Sequence, residues 1–83
     1  MPAFYLLDVA EFASILRHAE TDDALTVSQS GAYYRIQSDA DIVIPRDKTD
    51  LGEAVWFGAL VAGFEGRLIE FSDTLLHIGK EVS

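Results

Sequence analysis

The stretch from Gly63 to Gly79, GFEGRLIEFSDTLLHIG, has the pattern of two strands folded back on each other around Ser72 and Asp73. Its apolar residues make it a packed closing hairpin: Leu68, Ile69, Phe71, Leu75, Leu76 and Ile78. Gly66 interrupts the first strand, where glycine allows a β-bulge or the close approach of another backbone. The segment therefore predicts that antiparallel sheet closes the fold.

The first half of the chain predicts a strand, a helix and further strands. AFYLL, residues 3–7, is short, apolar and aromatic, which suits a buried strand. Apolar residues then recur at intervals of three and four, which predicts a helix from about Val9 to Glu20 with Asp8 as its N-cap. Three short antiparallel strands follow, with a turn at Gly31 between the first two and Pro45 closing the third.

Residues 51–61 predict a second helix that is apolar on nearly all sides. Asp50 stands at the N-cap position, and Glu53 follows at capping-box spacing. Gly52 and Gly58 lower the intrinsic propensity of this segment, so the helix depends on packing. The order β-α-β-β-β-α-β-β predicts a single small two-layer α+β domain over residues 1–83, with mostly antiparallel sheet and two helices and with no internal repeat.

Length, charge and composition restrict the classes of function. A chain of 83 residues supports one core, and its 49% hydrophobic content is enough to build that core. The formal charge of -8 disfavours nucleic acid as a partner. The absence of cysteine fits a reducing cytoplasm, and no secretory signal pattern or membrane-length apolar run occurs. We therefore expect a cytoplasmic protein that binds neither nucleic acid nor membrane.

Few residues suggest catalysis. His18 and His77 are the only histidines, and neither has a second histidine or a cysteine at metal-binding spacing. Four serines, Ser28, Ser30, Ser38 and Ser72, fall in predicted turns, and no glycine-rich phosphate loop is present. We expect no catalytic residue, no metal ligand and no cofactor. His77 acting with Glu65 or Glu70 is the enzyme hypothesis that remains.

Large aromatic side chains and a few arginines are the candidates for contact with a partner. They are Tyr33, Arg35, Trp56, Phe64 and Arg67. Aromatic residues and arginine commonly anchor protein interfaces, so these side chains predict a partner-binding surface. The alternative is that the rings fill the core and that the arginines form salt bridges to acidic residues of neighbouring strands.

Four short motifs spread over residues 4–78 resemble those of a known family. They are GAYYRI at residues 31–36, IVI at 42–44, LG at 51–52, and FEG at 64–66 followed by the acidic turn at Asp73. These motifs are similar to those of the small effector proteins, also called regulatory or coupling proteins, of bacterial multicomponent soluble diiron monooxygenases. Members of that family serve methane, phenol, toluene and alkene hydroxylases.

The resemblance implies a two-layer fold, no prosthetic group, and binding to the diiron hydroxylase component near its metal site. Such an effector tunes oxygen activation, substrate access and the coupling of electron use to product. The chain is shorter than typical members, with essentially no tail before its first strand. Alone, it is expected to be a monomer or a weak dimer. The alternative function is a ferredoxin-like small-ligand-binding or dimerisation module without an oxygenase partner.

Overall fold

Antiparallel strands and two short helices make up the computed structural model, which describes residues 1–81. The elements are β1 Ala3–Leu7, α1 Ala13–Thr21, β2 Leu25–Ser30, β3 Tyr33–Ser38, β4 Ile42–Pro45, α2 Glu53–Phe57, β5 Phe64–Glu65, β6 Arg67–Phe71 and β7 Leu75–Gly79. A short 3-10 turn precedes each helix. The predicted α+β class is confirmed. Residues 82 and 83, which the predicted domain includes, lie outside the described residues.

The strands form two sheets, a division that the strand patterns do not reveal. One sheet has four strands in the order β2-β3-β1-β5, and the other has three in the order β4-β7-β6. Every pairing in both sheets is antiparallel, as predicted. Each sheet turns one face toward a common core and leaves its other face uncovered by the two helices.

The two halves of the chain follow the same path. β1, α1, β2 and β3 are repeated in order by β4, α2, β6 and β7. In each half the last two strands form a hairpin, and the first strand pairs with the last one. This is a repeat of element order and pairing, and it does not conflict with the absence of a repeat in the sequence. It is invisible in the sequence because the matching strands share only their apolar spacing.

The segment 63–79 contains three strands instead of the predicted two. β5 leaves the hairpin and pairs with β1 in the four-stranded sheet, with Phe4 opposite Phe64. Gly66 is the single residue between β5 and β6, and it has a φ of 117°. A Cβ at this position would lie 2.6 Å from the backbone oxygen of Gly79, so the predicted close approach of another backbone is confirmed. The bulge itself lies further along, between Leu68 and Glu70.

One core joins both sheets and both helices. Its members are Phe4, Leu6, Phe12, Ile15, Ala19, Ile36, Ile42, Ile44, Trp56, Ala59, Leu76 and Ile78. The four-stranded sheet supplies its alternate residues on β1 and β3, and the three-stranded sheet supplies those on β4 and β7. The sheets are therefore parts of one structure and do not form separate domains.

Both helices are shorter than predicted, and neither uses the predicted cap. α1 begins only at Ala13, after a 3-10 turn, and the Asp8 carboxylate accepts a hydrogen bond from Gln29 Nε2 at 3.2 Å instead of capping it. Gly52 occupies the N-cap of α2 without a side-chain hydrogen bond, while Asp50 has a φ of 56°. Glycines at both ends of α2 explain why the helix is only five residues long. Within residues 1–81 no helix has the length and apolarity needed to cross a membrane.

Candidate partner-binding surface

The outer face of the four-stranded sheet, which we define by Tyr5, Tyr33, Arg35 and Glu65, carries a connected group of aromatic and charged side chains. Along β1 and β3 these residues alternate with core residues, so the pleat of the strands turns them away from the core, and Glu65 of β5 shares their face because it is opposite Ala3. In the register, Tyr5 is directly opposite Arg35 and Leu7 is directly opposite Tyr33. Strand pairing therefore brings together residues that are distant in the sequence.

Three of these side chains contact one another. The Tyr5 hydroxyl donates a hydrogen bond to Glu65 Oε2. Arg35 Nη2 lies 3.5 Å from the same oxygen, and the Arg35 guanidinium carbon lies 5.7 Å from the centroid of the Tyr5 ring. The contacts link β1, β3 and β5, and they fix the Arg35 side chain over an aromatic face, where a cation is attracted by the ring.

The carboxylate of Glu65 also changes the acidity of the Tyr5 phenol. The hydrogen bond that the phenol donates to Glu65 raises the pKa of Tyr5 above its ordinary value of 10.0. Desolvation and the negative charge of Glu65 act in the same direction, whereas the positive charge of Arg35 opposes them. The phenol therefore stays protonated, and remains a donor, at neutral pH.

Arg35 is half-buried in this group. Its side chain is 28% exposed, and its Nη1 atom is buried without a hydrogen-bond partner among the residues described. Beside it, Tyr5, Tyr33 and Ala62 line a shallow depression of about 310 Å³. Tyr33 is 42% exposed at the edge of this depression. The outer face thus offers an aromatic ring and part of a guanidinium to an approaching molecule.

Trp56 does not belong to any surface, which corrects its prediction as a partner contact. Its side chain is 0% exposed, and the indole Nε1 donates a hydrogen bond to the backbone oxygen of Ser72 at 2.7 Å. The ring also packs against Phe71, with ring centroids 5.8 Å apart. For Trp56 the alternative interpretation is therefore correct: its ring fills the core, where α2 packs against the β6–β7 turn.

The last two predicted contact residues lie on either side of Gly66. Phe64 is opposite Phe4 in the register, on the core side of the sheet at its edge, and it is 39% exposed. Arg67 is exposed at the start of β6, in the other sheet. The structure therefore groups Tyr33 with Arg35 on the outer face and places Phe64 and Arg67 at the crossing between the sheets.

His77 lies on the outer face of the three-stranded sheet. Its Nε2 atom is 2.7 Å from Asp41 Oδ2. The two acids of the enzyme hypothesis have other contacts, since Glu65 contacts Tyr5 and Glu70 accepts a hydrogen bond from the Ser72 hydroxyl at 2.7 Å. Glu70 is directly opposite His77 in the β6–β7 register, but among the described residues no hydrogen bond or ion pair joins His77 to Glu65 or Glu70.

Sequence reasoning misses Tyr5 as a member of the surface group. AFYLL looks uniformly apolar, and the partner of Tyr5 lies 60 residues away. The available signal is alternation, because a strand that buries Phe4 and Leu6 must turn Tyr5 to the opposite face. The pairing with Glu65 has no such signal, since β5 is only two residues long.

Comparison with known proteins adds no assignment to this surface. No protein-family model matches the chain, and no curated protein matches it. Across residues 1–81, no group of three or more histidine, cysteine, aspartate or glutamate side chains is placed to hold a metal ion.

Proposed function

We propose that this protein is a regulatory component that binds the hydroxylase component of a soluble diiron monooxygenase through the outer face of its four-stranded sheet. One observation carries the proposal: the GAYYRI strand, which contributes to the resemblance, supplies Tyr33 and Arg35 to that face. Tyr33 is 42% exposed there. The motif and the candidate surface therefore coincide.

The chemistry of the face suits protein binding. Tyrosine and arginine are enriched among the residues that contribute most to interface affinity. Arg35 is held by Glu65 and lies over Tyr5, so it loses little conformational freedom when a partner docks. The formal charge of -8 on the chain would speed its encounter with a basic patch on the hydroxylase.

Regulation by such a protein is a matter of differential affinity. A binder changes the population of hydroxylase conformations only if it prefers one of them, and a tenfold preference is worth about 1.4 kcal/mol. The side chains of the outer face would supply that preference by fitting one arrangement of the hydroxylase surface. The chain then alters oxygen and substrate chemistry without taking part in a chemical step.

A reconstituted hydroxylase tests the proposal. The assay contains the diiron hydroxylase and reductase of the same organism, and it measures product formed per electron consumed with and without this protein. We expect the protein to change this ratio, and Tyr33→Ala and Arg35→Ala each to weaken the effect by about tenfold in effective concentration. Arg17→Ala is the matched control, because Arg17 is exposed on α1, on the opposite side of the sheet. Unchanged rate, coupling and regiochemistry on addition of the protein would contradict the proposal.

A second candidate is a small-ligand-binding module, favoured by the depression beside Tyr5, Tyr33 and Ala62. Its volume of about 310 Å³ is at the lower end of the range for small-molecule sites. An aromatic compound such as phenol or toluene serves as the probe. Chemical-shift changes confined to these three residues, with no effect on a hydroxylase, would favour this candidate over the first.

A further inference from the structure

Among the described residues, the free edge of β2 is the longest strand edge that lacks a break in register. All six residues of β2, Leu25 to Ser30, pair with β3 in an unbroken register. On its other side, no strand of the described chain pairs with it. A row of backbone N–H and C=O groups therefore points outward, where it can receive another strand.

The other sheet edges carry features that block strand addition, and β2 does not. β4 is four residues long and ends in Pro45, which lacks an N–H donor. β6 has a break in register between Leu68 and Glu70 and begins with Arg67. β5 has only two residues. β2 contains no charged residue, no proline and no bulge, so it lacks the usual protection of an exposed edge.

We propose that the free edge of β2 pairs with β2 of a second copy of this chain, in an antiparallel and two-fold symmetric arrangement. Two four-stranded sheets would then join into one continuous sheet of eight strands. This inference does not depend on the proposed function, because the pairing uses the edge of the sheet and leaves the outer face of β3, β1 and β5 uncovered.

Symmetry and the pleat restrict the register. Directly opposed residues in antiparallel strands lie on the same face of the sheet. The two-fold axis must therefore pass between one residue and its own copy, so that this residue is opposite itself. With Val27 opposite its own copy, Leu25 faces Gln29 and Thr26 faces Ser28. Leu25 and Val27 are half-buried and pack against the core, so their copies would extend the apolar layer across the seam.

Charge favours the antiparallel orientation. The chain carries a formal charge of -8, and Asp22 and Asp23 lie just before β2. In the antiparallel arrangement Asp23 of one copy lies beside the uncharged Gly31 turn of the other. The two copies of Asp23 are then roughly 26 Å apart, about three times the screening distance at physiological salt. A parallel arrangement would place these carboxylates side by side.

The association should be weak. Pairing of about five residues along one edge buries less than the ~1,200 to 2,000 Å² of a standard stable interface. Backbone hydrogen bonds contribute a net of only ~0.5 to 1.5 kcal/mol each. The dimer is therefore expected to form reversibly as the protein concentration rises.

Sedimentation equilibrium between about 10 µM and about 1 mM protein, a span matched to weak association, tests the proposal. We expect the mean mass to rise from the 9.1 kDa of one chain toward twice that value. Thr26→Lys/Ser28→Lys puts two pairs of like charges directly across the seam and should raise the dissociation constant about tenfold. Thr26→Lys/Ser28→Glu puts opposite charges there and should restore association to at least the unmodified level.

Both positions are exposed, so both variants should fold, with Thr26→Lys/Ser28→Lys somewhat less stable because Ser28 is opposite Arg35 of β3 in the register. Circular dichroism and thermal melting check this. If a variant does not fold, hydrogen exchange of the unmodified protein decides, since the β2 amides should exchange more slowly at high concentration. A mass that stays at 9.1 kDa up to the highest concentration would overturn the proposal. So would a dimer that responds equally to both variants, because its interface would then lie elsewhere.

Discussion

At the scale of single residues, Tyr5 and Trp56 show how a small protein uses an aromatic side chain with a polar group in two ways. Trp56 is buried and satisfies its indole N–H with the backbone oxygen of Ser72. Tyr5 is half-buried and donates to a carboxylate on the outer face. Burial therefore decides what a mutation does. Replacing Trp56 should mainly affect folding, whereas replacing Tyr5 should remove a titrating phenol and weaken partner binding.

Ionisation of the Tyr5 phenol should make the folded protein less stable in alkaline solution. Its pKa is raised in the folded state, above the ordinary value of 10.0, so its protonated form is favoured by folding. This contribution to the free energy of unfolding is complete below pH 10.0 and is lost as the pH rises through the folded-state pKa. Ultraviolet absorbance of tyrosinate measures the titration, and the difference between the parent and Tyr5→Phe isolates this residue. In Glu65→Ala the pKa of Tyr5 should fall; an unchanged titration would contradict the assigned cause.

Trp56→Phe should lower the free energy of unfolding by about 2 kcal/mol. The substitution leaves a gap in the core and leaves the Ser72 carbonyl without its donor. Urea denaturation measures the change. Phe57→Leu is the control, because Phe57 is 43% exposed and its replacement should cost less than half as much. Equal losses for the two variants would show that the burial of Trp56 is not what stabilises this region.

At the scale of elements, the crossing from β5 to β6 is the step on which the sheet arrangement depends. Gly66 has a φ that other residues rarely adopt, and its Cα lies close to the backbone of β7. The chain can therefore leave one sheet and enter the other within one residue. A larger side chain would have to push the two sheets apart at this point.

Gly66→Ala should destabilise the fold by more than about 2 kcal/mol, from backbone strain and from the contact of the new methyl group with Gly79. Gly31→Ala is the matched control. Gly31 also has a positive φ, of 62°, but no atom lies within 4 Å of the position of its missing Cβ. Its replacement should therefore cost only ~1 to 2 kcal/mol of backbone strain. Thermal unfolding compares the two, and equal losses would remove the close approach as the cause.

Elements with a long apolar pattern could be predicted from the sequence, and short ones could not. Alternation predicts β3, the apolar run IVI before Pro45 predicts β4, and helical spacing predicts α1 apart from its first turn. β5 was missed because two residues carry no period. The length of α2 was overestimated, since apolar residues on all sides fit a turn packed into the core as well as they fit a helix.

At the scale of the whole molecule, the α+β class followed from the order of elements, while the two sheets and the repeat did not. Their arrangement depends on contacts between residues that are far apart in the chain, such as Tyr5 with Glu65. For the same reason only part of the candidate surface could be predicted. Tyr33 and Arg35 come from one strand with a clear alternation, whereas the burial of Trp56 depends on how α2 meets the β6–β7 turn.

The repeated path has a practical consequence for cutting the chain in two. Asp39 and Ala40 are exposed between the halves, yet each half contributes one sheet and one helix to the shared core. Fragments 1–39 and 40–83 should therefore be unstructured when expressed separately and should assemble into the native fold when mixed. Two-dimensional NMR of the mixture would reveal the reassembly. The molecule would then serve as a split reporter in which β5, carried by the second fragment, completes the sheet of the first.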